Sequence, residues 1–207
     1  RGIFLDVTRR LNEKICDYIS SSFYESRLKS HPVTKDRSVS LELKEIKNEG
    51  IFYLPVNHQD CTQKSDEEAK IIKDYYSKIL GKNYTEDNKK KKMTIENIMM
   101  IAPFNMQVNN LKKILNTKEA RIGTIDKFQG QESKVVFISM TSSDPENLPR
   151  HKEFFFSRNR LNVAISRAQC VAVILFNPNL LLADCKKINE MRLINNFCKL
   201  LKYGKID

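Results

Sequence analysis

Three short stretches carry side chains whose types and spacing could do chemistry. Residues 125–132, IDKFQGQE, follow an apolar run with acids, amides and a glycine. A buried strand ending in such a turn predicts polar groups at the carboxyl edge of a parallel sheet, where open α/β sheets bind ligands. It is also what a strand–helix turn looks like when it uses Gly130 only for its shape. Residues 159–168 read NRLNVAISRA. On a helix, Leu161, Ala164, Ile165 and Ala168 share one face, and Arg160 and Arg167 stand two turns and about 10 Å apart, pointing the same way. Aligned guanidiniums suit a phosphate chain, as they suit a solvated basic face. In residues 102–107, APFNMQ, an aromatic and an amide sit where a strand runs into a helix. There Phe104 could stack on a base with Asn105 hydrogen-bonding beside it, or Phe104 could belong to the core.

The elements that must hold these stretches follow from periodicity. Ile15, Ile19 and Phe23 recur every four residues and predict an amphipathic helix within 9–28. Residues 30–50 are polar and mixed in charge and read as a surface excursion with one edge strand; 51–56 is a short buried strand. Ser65-Asp66-Glu67-Glu68 reads as a capping box opening a helix to Leu80, stopped by Gly81. The run Lys89-Lys90-Lys91-Lys92 is expected in a loop. Strands are then expected at 98–102, 121–125, 135–140 and 171–176, with helices at 105–116, 158–168, 178–186 and 189–202. Continuous apolar strands alternating with helices predict an α/β fold with a parallel sheet covered on both faces. The chain reads as one domain, 1–207, with a variable excursion over 30–97 and its chemistry within 98–177.

Thirty-six Lys and Arg against twenty-five Asp and Glu give a net charge of +11. That excess points to a polyanion, nucleic acid before an acidic membrane. No apolar run approaches a membrane span and no signal-peptide pattern opens the chain, so no membrane partner is expected. Five cysteines without C-x-x-C spacing argue against a disulfide framework or a zinc cage and for a reducing cytoplasm. No two glycines have the spacing of a phosphate-cradling loop before Lys and Ser/Thr. Asp66-Glu67-Glu68 lacks the apolar strand that a magnesium-binding box needs. The Glu-x-Lys pairs at Glu42 and Glu45 fall in a stretch where they arise by chance, so a standalone nuclease is disfavoured. His31, His58 and His151 are scattered and read as surface residues, and no metal site is expected. The opening Arg1-Gly2-Ile3 reads as a cut inside a longer protein.

Taken in order, these stretches resemble the motifs of superfamily 1 helicases. Residues 126–132 are similar to motif V, D-x-F-Q-G-x-E, and 159–168 to motif VI, R-R-L-N-V-A-x-[ST]-R-A. Residues 102–107 look like the [AT]-P-[YF]-x-x-Q of motif IV. Thr8-Arg9-Arg10-Leu11-Asn12, with Phe23-Tyr24 downstream, is similar to the family's Y-R-M-H-P…FY segment. The resemblance covers nearly the whole chain and identifies it as the second RecA-like domain of the 5′→3′ branch, which includes nonsense-mediated-decay and replication helicase-nucleases. The tail around Asn189 and Asn196 looks like bacterial members with a fused RecB-type nuclease.

The resemblance implies a RecA-like fold without its own P-loop. The first RecA-like domain, holding most of the ATP and Mg2+, would lie upstream. It implies that Arg10 and Arg167 reach the γ-phosphate, that Glu132 binds the ribose with Gln129 and Gly130 at the cleft, and that Pro103, Phe104, Asn105 and Thr124 touch single-stranded nucleic acid, DNA before RNA. Arg160 would serve structure or a phosphate. Departures from the pattern are Arg9 for the aromatic, Leu11-Asn12-Glu13 for Met-His-Pro, Asn159 for the first motif VI arginine, and Phe104 for tyrosine. The rival reading is a basic nucleic-acid-binding module of a larger nuclease complex, without ATPase work; it has no need of Arg10, Glu132 and Arg167 together.

Overall fold

The computed structural model describes residues 4–149 and 152–203. In chain order the elements are β1 (Val7–Thr8), α1 (Glu13–Phe23), β2 (Lys29–Ser30), β3 (Ser38–Ser40), β4 (Gly50–Pro55), α2 (Asp66–Ile79), β5 (Asn83–Glu86) and β6 (Lys89–Lys92). There follow β7 (Ile98–Ile101), α3 (Asn105–Leu115), β8 (Arg121–Gly123), β9 (Ser133–Ser139), α4 (Lys152–Phe155), α5 (Arg158–Ile165), β10 (Ala168–Phe176) and α6 (Ile188–Tyr203).

Five strands form the central sheet in the order β4-β10-β9-β7-β8, every pair parallel. Strands β7, β9 and β10 are buried along their whole length, which is why they read as unbroken apolar runs. Their alternate residues still divide between two cores. Val136, Ile138, Ala172 and Ile174 pack with Ile15 of α1, Leu161 and Ile165 of α5 and Phe197 of α6. Val135, Phe137, Val171 and Val173 pack on the other side with Ala69 and Ile72 of α2 and Val108 and Leu111 of α3. The chain is therefore α/β with both faces of its sheet covered, as the alternation predicts. No helix among the described residues is long and apolar enough to cross a membrane.

Several local expectations need correction. Lys89–Lys92 is a strand, not a loop: β6 pairs antiparallel with β5, across a turn in which Asp87 and Asn88 both have positive φ. With β3 the hairpin makes a three-stranded sheet, β3-β5-β6. The 158–168 helix stops at Ile165: the Arg167 N–H turns to the Ala164 carbonyl three residues back, and β10 starts at Ala168. The expected helix at 178–186 is only a 3-10 turn, Pro178–Leu182. Ser65 does cap α2, accepting from the Glu68 N–H, but Glu68 does not reach back to complete the box: Gln107 Oε1 accepts the Ser65 N–H instead. His58 is buried, not on the surface. His151 lies outside the described residues. All five cysteines are unpaired.

Candidate functional site

The stretch from Thr124 to Glu132 does not sit at one edge of the sheet. Strand β8 ends at Gly123 and the parallel β9 starts at Ser133, so the chain crosses from the carboxyl edge to the amino edge between them. It does so through a 3-10 turn, Ile125–Phe128. The turn packs closely on Gly123: a Cβ there would lie 2.6 Å from Cδ of the flexible Lys127 side chain and 3.2 Å from the Phe128 ring. Gly130 has open space around it but a φ of +79°, which favours glycine. Two separate groups of candidate residues result.

The amino-edge group collects Arg10, Glu132 and Arg167. Arg10 Nε forms an ion pair with Glu132 Oε2, and Gln169 Nε2 donates to Glu132 Oε1 at 2.5 Å. Arg167 is 8% exposed, and its Nη1 donates to the Gln131 carbonyl at 3.3 Å. Its Nε is buried without a hydrogen-bond partner. Burial, and then the charge of Arg10, pull the Arg167 guanidinium below its ordinary pKa, with Glu132 opposing. Arg10 pairs with Glu132 beside an open groove of about 610 Å³ walled by Arg9, Arg10, Glu132, Asn162 and Ser166, and Arg167 lies close enough to feel both charges. Two guanidiniums beside a single carboxylate suit an added anion. Gln129 and Gly130 are exposed in the turn leading to Glu132, and neither lines this groove.

Asn12, which the sequence reading passed over as a mere departure, holds the Arg10 segment in place. It is 1% exposed; its Oδ1 accepts from the Ile15 N–H and its Nδ2 donates to the Cys170 carbonyl, both at 3.0 Å. It therefore caps α1 and ties the Arg10 segment to the start of β10. The signal available was an Asn directly before an amphipathic run that opens with Glu13.

The carboxyl-edge group lines a second groove of about 400 Å³, where Pro103, Phe104, Asn105, Thr124, Asp126 and Arg160 meet. The N-terminus of α3 opens here without a side-chain cap, and Thr124 spends no hydroxyl on capping its own turn. Free helix N–H groups, a hydroxyl and a guanidinium suit a phosphate. Arg160 lies 4.3 Å from the centroid of the Phe154 ring and 3.7 Å from Asp126 Oδ2. Arg160 and Arg167 thus serve different edges and are not an aligned pair: Arg167 lies beyond the end of α5, so helical spacing does not apply to it. Phe104 is 6% exposed, packed against Phe154 at 6.2 Å and Phe155 at 6.5 Å between centroids. Of the two readings left open for Phe104, the structure favours the packed one: the ring is largely buried and forms part of the wall of the groove. Phe104→Ala is expected to cost about 3 kcal/mol and to lower the melting temperature; an unchanged melt with weakened nucleic-acid binding would show that the ring serves a ligand.

Behind this groove a buried polar network fixes the carboxyl edge. Glu68, fully buried, accepts from the Ser139 hydroxyl and the Thr141 N–H and contacts His58 Nε2 at 3.2 Å. Gln107 of α3 donates to the Ser65 carbonyl and Ser139 Oγ, both at 3.0 Å. Among the described residues no three His, Cys, Asp or Glu side chains converge as metal ligands.

The AAA domain family (AAA_12) matches residues 1–179. An uncharacterized ATP-dependent helicase of Methanocaldococcus jannaschii is 29% identical over 198 residues, 90% of this chain and 28% of the relative. DNA polymerase alpha-associated DNA helicase A of Saccharomyces cerevisiae is 26% identical over 193 residues, 86% of this chain and 28% of the relative. Armi, a probable RNA helicase of Drosophila melanogaster, is 34% identical over 99 residues, 44% of this chain and 8% of the relative. The chain therefore spans little more than a quarter of the length of the relatives it matches most fully. On this match and these relatives, the chain belongs to the AAA domain family and is the C-terminal RecA-like domain of a superfamily 1 helicase.

Proposed function

We propose that this domain closes on ATP held by an upstream first RecA-like domain, within an ATP-dependent 5′→3′ helicase. The observation that carries the reading is the buried Arg167, with an unpartnered Nε, beside Arg10. ATP, with its Mg2+ held mainly by the first domain, supplies the free energy of phosphoryl transfer. Arg167 and Arg10 stabilise the charge on the γ-phosphate, Glu132 accepts from the ribose through lone pairs left by Arg10 and Gln169, and Gln129 and Gly130 border the cleft. At the other edge Pro103 and Phe104 shape the groove. Asn105, Thr124 and Arg160 hold a strand by its phosphates, with single-stranded DNA the substrate; the more fully matched relatives include a DNA helicase. A RecB-type nuclease upstream belongs to the same proposal by resemblance.

Two measurements on residues 1–207 test this. ATP turnover should be absent, since no glycine pair has P-loop spacing; DNA-stimulated hydrolysis would overturn the assignment of the nucleotide to an upstream domain. Single-stranded DNA binding should be weak and fall steeply with salt, at a log–log slope of roughly −0.7 per phosphate contact. An affinity indifferent to salt would mean that the +11 charge does not serve a nucleic-acid track.

A further inference from the structure

Arg10 must be aimed as well as present, and its own neighbours do only part of that. From one side Asn12 anchors the segment to β10. From the other comes Arg37, in the turn before β3, whose side chain is 12% exposed. Its Nη1 donates to two successive carbonyls, those of Arg9 and Arg10, both at 2.8 Å. Neighbouring carbonyls converge on one donor only over a narrow range of backbone angles, so this pair of bonds restricts the peptide that carries the Arg10 side chain. Arg37 is itself held. Its Nε lies 3.7 Å from Glu86 Oε1 at the end of β5, and Glu86 also engages Lys134 and Lys91. Asp36, next to Arg37, accepts from the Asn88 N–H at 2.6 Å in the β5–β6 turn. Asp36 and Arg37 thus grip the hairpin with one residue and the Arg10 peptide with the other.

We propose that Arg37 is a positioning residue for Arg10, and that the β5–β6 hairpin sets the orientation of this arginine through it. This rests on the reading of Arg10 as a γ-phosphate ligand. A merely structural Arg37 would tie β3 to β5 and leave turnover alone once the protein is folded.

The test uses the full-length protein with its first RecA-like domain, assayed with saturating single-stranded DNA. Arg37→Met keeps the aliphatic stem and removes the donors. It should lower kcat on the order of 100-fold, the scale of an ångström misplacement, with KM for ATP changed less than about threefold. DNA affinity should not change. Arg37→Lys, which keeps a cation able to reach the carbonyls, should recover part of the loss. It also keeps the proposal open to refutation if Arg37→Met folds poorly. Because Arg37 acts through Arg10, Arg10→Ala combined with Arg37→Met should be no slower than Arg10→Ala alone. An inactive Arg10→Ala beside a fully active Arg37→Met, or losses that multiply in the double variant, would overturn the role of Arg37. Wild-type kcat in Arg10→Ala would overturn the reading of Arg10 and this inference with it.

Discussion

In the full-length protein, Arg167→Ala is expected to reduce kcat for ATP hydrolysis by about 10³–10⁵ while Kd for ATP stays close to that of the parent. Its side chain makes one hydrogen bond, to the Gln131 carbonyl, and its buried Nε makes none. On the proposed reading it serves a charge that develops in the transition state, where such a residue contributes most. Steady-state hydrolysis together with equilibrium binding of a fluorescent nucleotide separates the two quantities. Lost binding with normal turnover at saturation would refute the assignment. Arg160→Ala is the internal control: it lines the opposite groove, so it should weaken DNA binding and leave the chemical step intact.

Glu68→Ala should be the most destabilising of the single changes considered, by about 3–5 kcal/mol, lowering the melting temperature on the order of 10 °C. Removing this carboxylate strands the Ser139 hydroxyl, the Thr141 N–H and a ring nitrogen of His58 in a dry interior. Thr141, moreover, is held at a φ of +67°, unfavourable for a β-branched residue, and loses a bond that keeps it there. Thermal unfolding of the purified variant measures the effect; a melt within a degree or two of the parent would mean that the network contributes little.

The central sheet was legible because burial on both faces writes itself as uninterrupted apolar residues, and β7, β9 and β10 are such runs. The cap at Ser65 was legible because it is local. What misled was chemistry satisfied from far away. Glu68 looks like the second half of a capping box until Gln107, 42 residues from Ser65, takes the donor it would have used. His58 looks solitary because its partners are 10 and 85 residues off. In 159–168 the apolar spacing fits a helix through Ala168, yet the same alanine opens a buried strand, and periodicity alone does not choose between the two. Four consecutive lysines suggested a loop, although Asp87-Asn88 is a two-residue hairpin turn. Of the motif residues, Arg10, Glu132 and Arg167 gather, and Phe104, for which stacking and core packing were both open, is largely buried in the groove wall.

The crossing of residues 124–132 from one edge of the sheet to the other has a mechanical consequence. The two proposed surfaces stand at opposite ends of β9, seven residues and about 20 Å apart. Nothing soft lies between them, for every residue of β9 and β10 is buried and close-packed interiors transmit displacement rather than absorb it. With the nucleotide at the amino edge, as proposed, a tilt imposed there would be expected to reach the other groove through these buried strands, the sheet acting as a stiff lever arm.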